Sequence, residues 1–452
     1  MNLLHLAPHL EKRGYSVSII DQFSDPDWER KFRKSMETPP ICFGVTSMTG
    51  PQIRQAVRIS RRVREINPEI PVVWGGVHAS IRPAEVLDNP FVDIVVIGEG
   101  ELTLAELADA LLAGNSLHTV RGVGYKDGGR QNFTEARPFL DLDQEPDPAY
   151  HLIDMANYHE DILGVGHVHM FVSRGCIYDC AYCWNPVFHQ RKHRKMHPEK
   201  VLEMMARVVR NYGIRGFLLG DDNFFIDLEW AHDVLERIVR SGLDVHLGKV
   251  NIRADTLCRL EDEFLDLMVR AGVKRVVIGA ESGDPRILEL IKKRISVDEI
   301  LEANRKLIPY GIRPAYQFMM GLPTETPAEV EKTVRLAERL MRENPKASRS
   351  INRYTPFPGT ELYKMVVEKG FREPARLEEW ASINYRNLPS DSPWISRETG
   401  RLVALLDYAL MCDKQDNSLG EVVKKADPLS VLLAKLYGPL ARYRVRSMDT
   451  RL

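Results

Sequence analysis

The stretch Ser173-Arg174-Gly175-Cys176-Ile177-Tyr178-Asp179-Cys180-Ala181-Tyr182-Cys183-Trp184-Asn185-Pro186 puts three thiols on one short loop in a CxxxCxxC spacing. Thiolates are soft ligands, so three together hold three corners of an iron-sulfur cube or most of the sphere of a zinc ion. Zinc needs a fourth ligand, which His189 or His193 would supply, and the spacing alone leaves that reading open. A cube with three protein ligands keeps one iron open, a reactive arrangement rather than a closed electron store. Cys42, Cys258 and Cys412 are scattered as packing residues are, and six cysteines in 452 residues make no disulfide framework.

The loop needs a rigid support, and the sequence around it alternates short β-rich runs with amphipathic stretches, the pattern of parallel strands joined by crossover helices. The fold class is α/β. From 168 onward strands are expected at 168–173, 216–219, 245–250, 275–279, 314–319 and 350–354, enough for a partial (β/α)6 barrel that works at its strand C-termini. Polar groups follow these strands: Asp221 and Asp222 after the second, Arg253 after the third, Glu281 and Ser282 at the end of the fourth. In the first third, helices are expected at 3–12, 52–65 and 102–112, and strands at 17–20, 41–46, 72–74 and 94–97, a doubly wound sheet. Turns rich in small residues follow three of these strands, in Ser47-Met48-Thr49-Gly50, Gly75-Gly76-Val77-His78 and Gly98-Glu99-Gly100. Ligands of open parallel sheets lie at such strand ends.

The cysteine loop, with Tyr182 directly before its last cysteine, resembles the signature of the radical SAM enzymes. The resemblance implies a [4Fe-4S] cluster on Cys176, Cys180 and Cys183, with the amino and carboxylate groups of S-adenosylmethionine (SAM) on the fourth iron. Reductive cleavage of SAM then gives a 5'-deoxyadenosyl radical. Leu219-Gly220-Asp221-Asp222 is similar to the family's Gly-Gly-Glu element, so Asp221 or Asp222 would accept from the SAM amino group, with Asp in place of the usual Glu. Arg253 would pair with the SAM carboxylate, and Glu281 and Ser282 would meet the ribose. Tyr182 completes the implied SAM site. The loops Met319-Met320-Gly321-Leu322-Pro323 and Thr355-Pro356-Phe357-Pro358-Gly359-Thr360 close the later strands in the family manner.

The first third resembles the Rossmann-like, flavodoxin-like cobalamin-binding domain that precedes the barrel in one large radical SAM class. This implies corrin contacts from Ser47, Met48, Thr49, Gly75, Gly76, Val77, His78, Gly98 and Glu99, with the upper face of the corrin toward the cluster. The Asp-x-His-x-x-Gly element that gives cobalt a lower histidine in other cobalamin proteins is absent. Family members usually begin with a β-strand before the helix expected at 3–12, so the domain is expected to lack its first strand, as an internal start or a truncated gene model would produce.

Domain boundaries are expected at 1–135 for the cobalamin domain, 136–160 for an acidic, Pro-rich linker, 161–370 for the barrel and 371–452 for a helical C-terminal region. The charge of -1, with 62 basic against 63 acidic residues, argues against a nucleic-acid clamp driven by bulk charge. No apolar run reaches the ~18 residues of a membrane span, and a cytoplasmic protein is expected. Leu432, Leu433, Leu436, Tyr437 and Leu440 beside Arg442, Arg444 and Arg446 suit either a packed helix or a membrane surface. The basic run 189–195 suits a solvated face, an anionic substrate, or a one-electron donor such as flavodoxin or ferredoxin.

The function expected is a cobalamin-dependent radical SAM enzyme, a methyltransferase acting on an unactivated carbon of a small-molecule biosynthetic intermediate. Ring formation, rearrangement or oxidoreduction, with or without cobalamin, is the alternative within the class. A non-catalytic zinc or iron-sulfur module is the alternative outside it.

Overall fold

The computed structural model describes residues 3–158, 164–383 and 392–411, the side chains of 407–411 excepted. The chain divides into two compact units, residues 1–161 with 374–384 and residues 162–373 with 385–452. The first therefore includes both the segment expected to be a linker and a short return from beyond the barrel. The C-terminal apolar and arginine-rich stretch around 432–446 and Cys412 lie outside the described residues. Among the described residues no helix is long and apolar enough to cross a membrane.

The first unit is a five-stranded sheet in the order β1 (Phe43–Thr46), β2 (Val72–Gly75), β3 (Ile94–Val96), β4 (Val123–Asp127), β5 (Arg130–Phe133). The first three are parallel and the last two form an antiparallel hairpin that turns at Gly128-Gly129. Helices α1 (Leu3–Glu11) and α2 (Trp28–Ser35) precede the sheet, and α3 (Pro51–Ile66), α4 (Val77–Ile81), α5 (Pro83–Asp88) and α6 (Glu101–Ala113) are its crossovers. Helix α3 starts with Pro51 at its first position and buries Ile53, Ala56, Val57, Ser60 and Val63, one stripe at helical spacing. The Ser60 hydroxyl accepts from Trp74 Nε1 at 2.9 Å, which satisfies the one polar atom of a fully buried ring. Beneath α6, Val73, Ile94, Val96, Leu107, Val120 and Val123 form a continuous core.

The strand expected at 17–20 is absent. A strand exists only through its ladder, and in a flavodoxin-like order the second strand pairs with the first, a place no strand fills among the described residues. The segment expected to be a linker is packed: Leu140, Leu142 and Tyr150 are buried, Glu145 and His9 share a hydrogen bond at 2.9 Å, and Ala149 N donates to Leu4 O.

In the second unit β6 (His167–Met170), β9 (Gly216–Leu219) and β10 (His246–Gly248) form one parallel sheet, and β11 (Val250–Asn251), β12 (Arg275–Glu281), β13 (Arg313–Met320) and β14 (Ser348–Arg353) another. The run expected as one strand over 245–250 is split at Lys249, whose φ of 54° is left-handed. Its first half pairs with β9 and its second with β12. One bent strand thus carries the sheet around a corner, giving six sequential strand-helix units. Each residue of β9 is buried, as a strand covered on both faces must be. The helices of this unit include α7 (Asn185–Phe188), α8 (Pro198–Tyr212), α9 (Leu228–Ser241), α10 (Ala254–Arg259), α11 (Asp262–Arg270), α12 (Pro285–Leu290), α13 (Val297–Lys306), α14 (Pro327–Glu343) and α15 (Glu361–Glu368). Asp227 caps α9, Gly242 ends it in the left-handed region, and capping boxes open α13 and α14. Helix α16 (Arg397–Met411) packs on α14 and β14.

Candidate active site

The thiol loop leaves β6 through a two-stranded hairpin, β7 (Ser173–Arg174) with β8 (Arg194–Lys195). Gly175 has a φ of 86°, and a Cβ there would lie 2.0 Å from Lys192 O, so only glycine lets the 189–195 segment close on the loop. Arg191 Nε donates to Ile177 O at 3.1 Å from the same segment. The basic run thus buttresses the loop. Cys176, Cys180 and Cys183 are free thiols, partly buried. Burial pushes all three upward, Cys183 to about 12. Metal binding would have to displace those protons, as iron and zinc do. Among the described residues no three ligands converge on one point, and a cubane, which spreads its thiolates over separate irons, does not require it.

The two aspartates after β9 have different roles. Asp221 is enclosed at 1% exposure, and its Oδ1 accepts from Val172 N at 3.2 Å, the Ser173 hydroxyl at 2.6 Å and Ser173 N. Its Oδ2 is buried without a partner, and burial pushes the carboxyl up to about 7 against those donors. Asp221 therefore fastens the strand end that launches the thiol loop. Asp222 is only half-buried, accepts from Gly175 N at 2.9 Å, and interacts electrostatically with Cys176 and Cys183. It is the carboxylate open to a ligand beside the thiols.

Arg253 is held inside the unit. Its Nε donates to Asp255 at 2.9 Å, its Nη2 to Lys293 O at 2.8 Å and Arg294 O at 3.2 Å, and its guanidinium lies 3.9 Å from the Tyr178 ring centroid. Glu281, at the end of β12, has a left-handed φ of 63° and turns its carboxylate to the thiol loop, accepting from the Tyr182 hydroxyl at 2.8 Å and from Lys293 Nζ at 2.8 Å. Ser282 faces away and shares a hydrogen bond with Thr333 at 3.1 Å. The structure thus brings Tyr182, Asp222 and Glu281 to the thiols, gives Asp221 and Arg253 supporting contacts, and turns Ser282 into the packing of α14. Lys293 was not expected: within Ile291-Lys292-Lys293-Arg294 it reads as one of a charged run, and no local pattern marks the buried member.

In the first unit, strand ends β1 and β2 form a polar cradle. Gly76 has a φ of 92°, and a Cβ there would be 2.6 Å from Ser47 O, so the two turns touch backbone to backbone. The Thr49 hydroxyl hydrogen-bonds His78 Nδ1 at 2.9 Å. Ser47 Oγ and His78 Nε2 are buried with no protein partner, and burial pushes His78 down to about 4, a neutral imidazole. Met48 is exposed, and a Cβ at Gly98 would meet open space. Gly75 and Val77 flank Gly76 at the end of β2 and the start of α4. Glu99 bends away, accepting from Leu140 N at 2.9 Å.

Residues 170–337 match the model of the Radical SAM superfamily and residues 1–108 that of the B12 binding domain. The uncharacterized methyltransferase PH0819 of Pyrococcus horikoshii is 30% identical over 370 residues, 81% of this chain and 78% of that protein. The anaerobic magnesium-protoporphyrin IX monomethyl ester cyclase of Cereibacter sphaeroides is 30% identical over 80% of this chain and 59% of its own. Cytidylyl-2-hydroxyethylphosphonate methyltransferase of Streptomyces wedmorensis is 27% identical over 89% and 84%. The cobalamin-dependent SAM radical enzyme OxsB with aqua-cobalamin bound matches 98% of this chain and 69% of its own with a TM-score of 0.73 at 17% identity, a likeness of fold.

The residues fit the groups that this class uses: a three-thiol loop with an open carboxylate beside it, and a strand-end cradle with unmet hydrogen-bonding capacity at Ser47 and His78. The chain therefore belongs to the cobalamin-binding class of radical SAM enzymes, with a [4Fe-4S] cluster, S-adenosylmethionine and cobalamin as its cofactors.

Proposed function

We propose that this enzyme transfers a methyl group to an unactivated carbon of a small organic biosynthetic intermediate. The observation that carries the reading is the pairing, in one chain, of the thiol loop with a strand-end cradle whose Ser47 hydroxyl and His78 Nε2 lack protein partners. The methyltransferase relatives support the direction. When bound, the cofactors together supply a hydrogen-abstracting radical and a transferable methyl group.

The chain's own contribution is binding and orientation. Cys176, Cys180 and Cys183 hold the cluster, and Asp222 accepts from the SAM amino group. Arg253 offers Nη1, the nitrogen its internal bonds leave, to the SAM carboxylate. Glu281 and Tyr182 border the nucleoside, while Asp221 keeps the loop in register. Ser47, Thr49, Gly76 and His78 receive cobalamin, the glycine by close approach and the others by hydrogen bonds. A cytoplasmic one-electron donor such as flavodoxin or ferredoxin supplies the electron, and nucleic acid is not a partner. The cyclase relative supports a second reading, ring formation on the same residues.

Anaerobic reconstitution with iron, sulfide and hydroxocobalamin, followed by gel filtration and an absorbance spectrum, tests the cofactor set. Corrin bands and acid-labile sulfide near one equivalent of each cofactor are expected. Zinc without sulfide would sink the cluster assignment and leave a metal-binding module. With methyl-labelled SAM, label in a product heavier by one methylene supports methyl transfer, whereas an unlabelled product lighter by two hydrogens supports ring formation.

A further inference from the structure

We propose that Lys293 is a fixed buried positive charge beside the thiol loop that raises the reduction potential of the cluster held there. This rests on the assignment of the cluster to Cys176, Cys180 and Cys183.

The turn at 291–294 is built as a backing for that loop. Lys292 and Arg294 both have left-handed φ values, 54° and 53°, so the turn holds a shape that few side-chain-bearing residues adopt unforced. It meets the loop at successive points. Ala181 N donates to Ile291 O at 3.0 Å, Arg294 pairs with Asp179 at 2.7 Å, and Arg253 bonds Lys293 O while its guanidinium lies against the Tyr178 ring. Lys293 supplies the last contact with its side chain, which is 9% exposed: Nζ donates to Glu281 Oε1 at 2.8 Å and lies 3.4 Å from the Tyr182 hydroxyl.

The backbone has been shaped to admit this group. A Cβ at Gly279 would lie 2.7 Å from Lys293 Nζ and 2.3 Å from Glu281 Oε1, and the β12–β13 register shifts between Gly279 and Glu281. An apolar side chain of similar volume would fill the space at least as favourably, because a buried ion pair returns little net stability. A hydrocarbon could not place a positive charge beside the thiols. Burial works against that charge, yet Glu281 and Cys180 together hold the ammonium above its ordinary value. Of the pair, the lysine acts on Cys180 more strongly than the glutamate does. At Cys180 the pair therefore contributes a net positive field, and a positive field favours the form of a redox centre that carries one more electron.

The test is a redox titration, monitored by electron paramagnetic resonance, of the reconstituted full chain as wild type, Lys293→Met, Glu281→Gln/Lys293→Met and Lys293→Arg. The double variant removes both charges and leaves none unpaired, so it is the form least exposed to misfolding. Both neutralised variants are expected at more negative potentials than the wild type, with Lys293→Arg restoring the wild-type value. The proposal is overturned if the neutralised variants titrate with the wild type, or if Lys293→Arg is displaced as far as they are. It is equally overturned if they lose the cluster while Lys293→Arg keeps it, since the lysine would then serve assembly and not potential. Iron and sulfide measured on the wild type keep the underlying assignment separate: a wild type without them refutes the ligand set, whatever the variants do.

Discussion

Trp380 offers a quantitative test of how the first unit is held together. It lies in the short 3-10 helix Leu377–Ser382, which returns to this unit from beyond the barrel and packs on α3. The ring is fully buried, its centroid 5.4 Å from that of His78, with the Arg82 guanidinium 5.5 Å away. Nε1 donates to Glu85, whose other oxygen accepts from Arg82 at 2.9 Å. Trp380→Ala removes the ring and leaves a cavity, a change that costs about 3–5 kcal/mol at buried aromatic positions. Trp380→Phe keeps most of the apolar volume and forfeits the hydrogen bond to a carboxylate, about 1.5–3 kcal/mol. Amide hydrogen exchange reads these losses locally. If α3 and α4 exchange by opening of this unit, 3 kcal/mol corresponds to roughly a hundredfold faster exchange over 51–66 and 77–81 in the alanine variant. Helix α9, in the other unit, should stay unchanged as an internal control. Glu85→Gln should cost less in the Trp380→Phe background than in the wild type, because the bond it weakens is already gone. Exchange over 51–66 within threefold of wild type in Trp380→Ala would refute the claim that this segment is a structural part of the unit.

Three further outcomes are expected. Gly175→Ala forces a side chain onto Lys192 O in a left-handed conformation, so the 189–195 segment should detach and iron uptake fall, as colorimetric iron and sulfide assays would record. Asp222→Asn should weaken SAM binding by about tenfold or more, the loss of a charge-assisted hydrogen bond, whereas Asp221→Asn should lower thermal stability, since the Asn oxygen receives the three donors of Oδ1 without charge and its amide N–H group takes the buried place of Oδ2, which has no hydrogen-bond partner. Glu325 is buried and pushed up to about 8, because burial outweighs the Gly321 and Leu322 amides that donate to it. The folded state then holds its proton where the unfolded state releases it, so this group's contribution to stability is full below about pH 4.5 and falls as pH rises toward 8. Glu325→Gln should track the wild type in melting temperature near pH 4 to 5 and exceed it increasingly toward pH 8 to 9; a difference that does not vary with pH would contradict this.

Much of the fold was legible because local signals and the final environment agreed. The expected strand over 216–219 has the observed bounds, and the helices around 52–65 and 102–112 lie within a residue or two of α3 and α6. The 17–20 run looked like a strand by residue type alone, but pairing is a tertiary property that no window of sequence contains. The break at Lys249 escaped for a related reason: a change of partner mid-strand leaves no trace in apolar content. The thiol loop was readable from spacing, while the division of labour between Asp221 and Asp222 was not, since adjacent carboxylates differ only in which backbone amides each one meets. Lys293 and Trp380 lay hidden because their partners, Glu281 and Tyr182 in one case and Glu85 and His78 in the other, are distant in sequence.

The return of residues 374–384 to the first unit bears on how the protein is made. Translation delivers the chain from its N-terminus at about 5–20 residues per second. The sheet of β1–β5 is complete long before the segment that buries Trp380 against α3 emerges, roughly two hundred residues later. Through that interval α3 and the His78 ring lack the cover that Trp380 and its short helix give them. A gene fragment that stops at the end of the first 161 residues would be left in that unfinished state, so expression of the isolated domain calls for the return segment to be supplied as well.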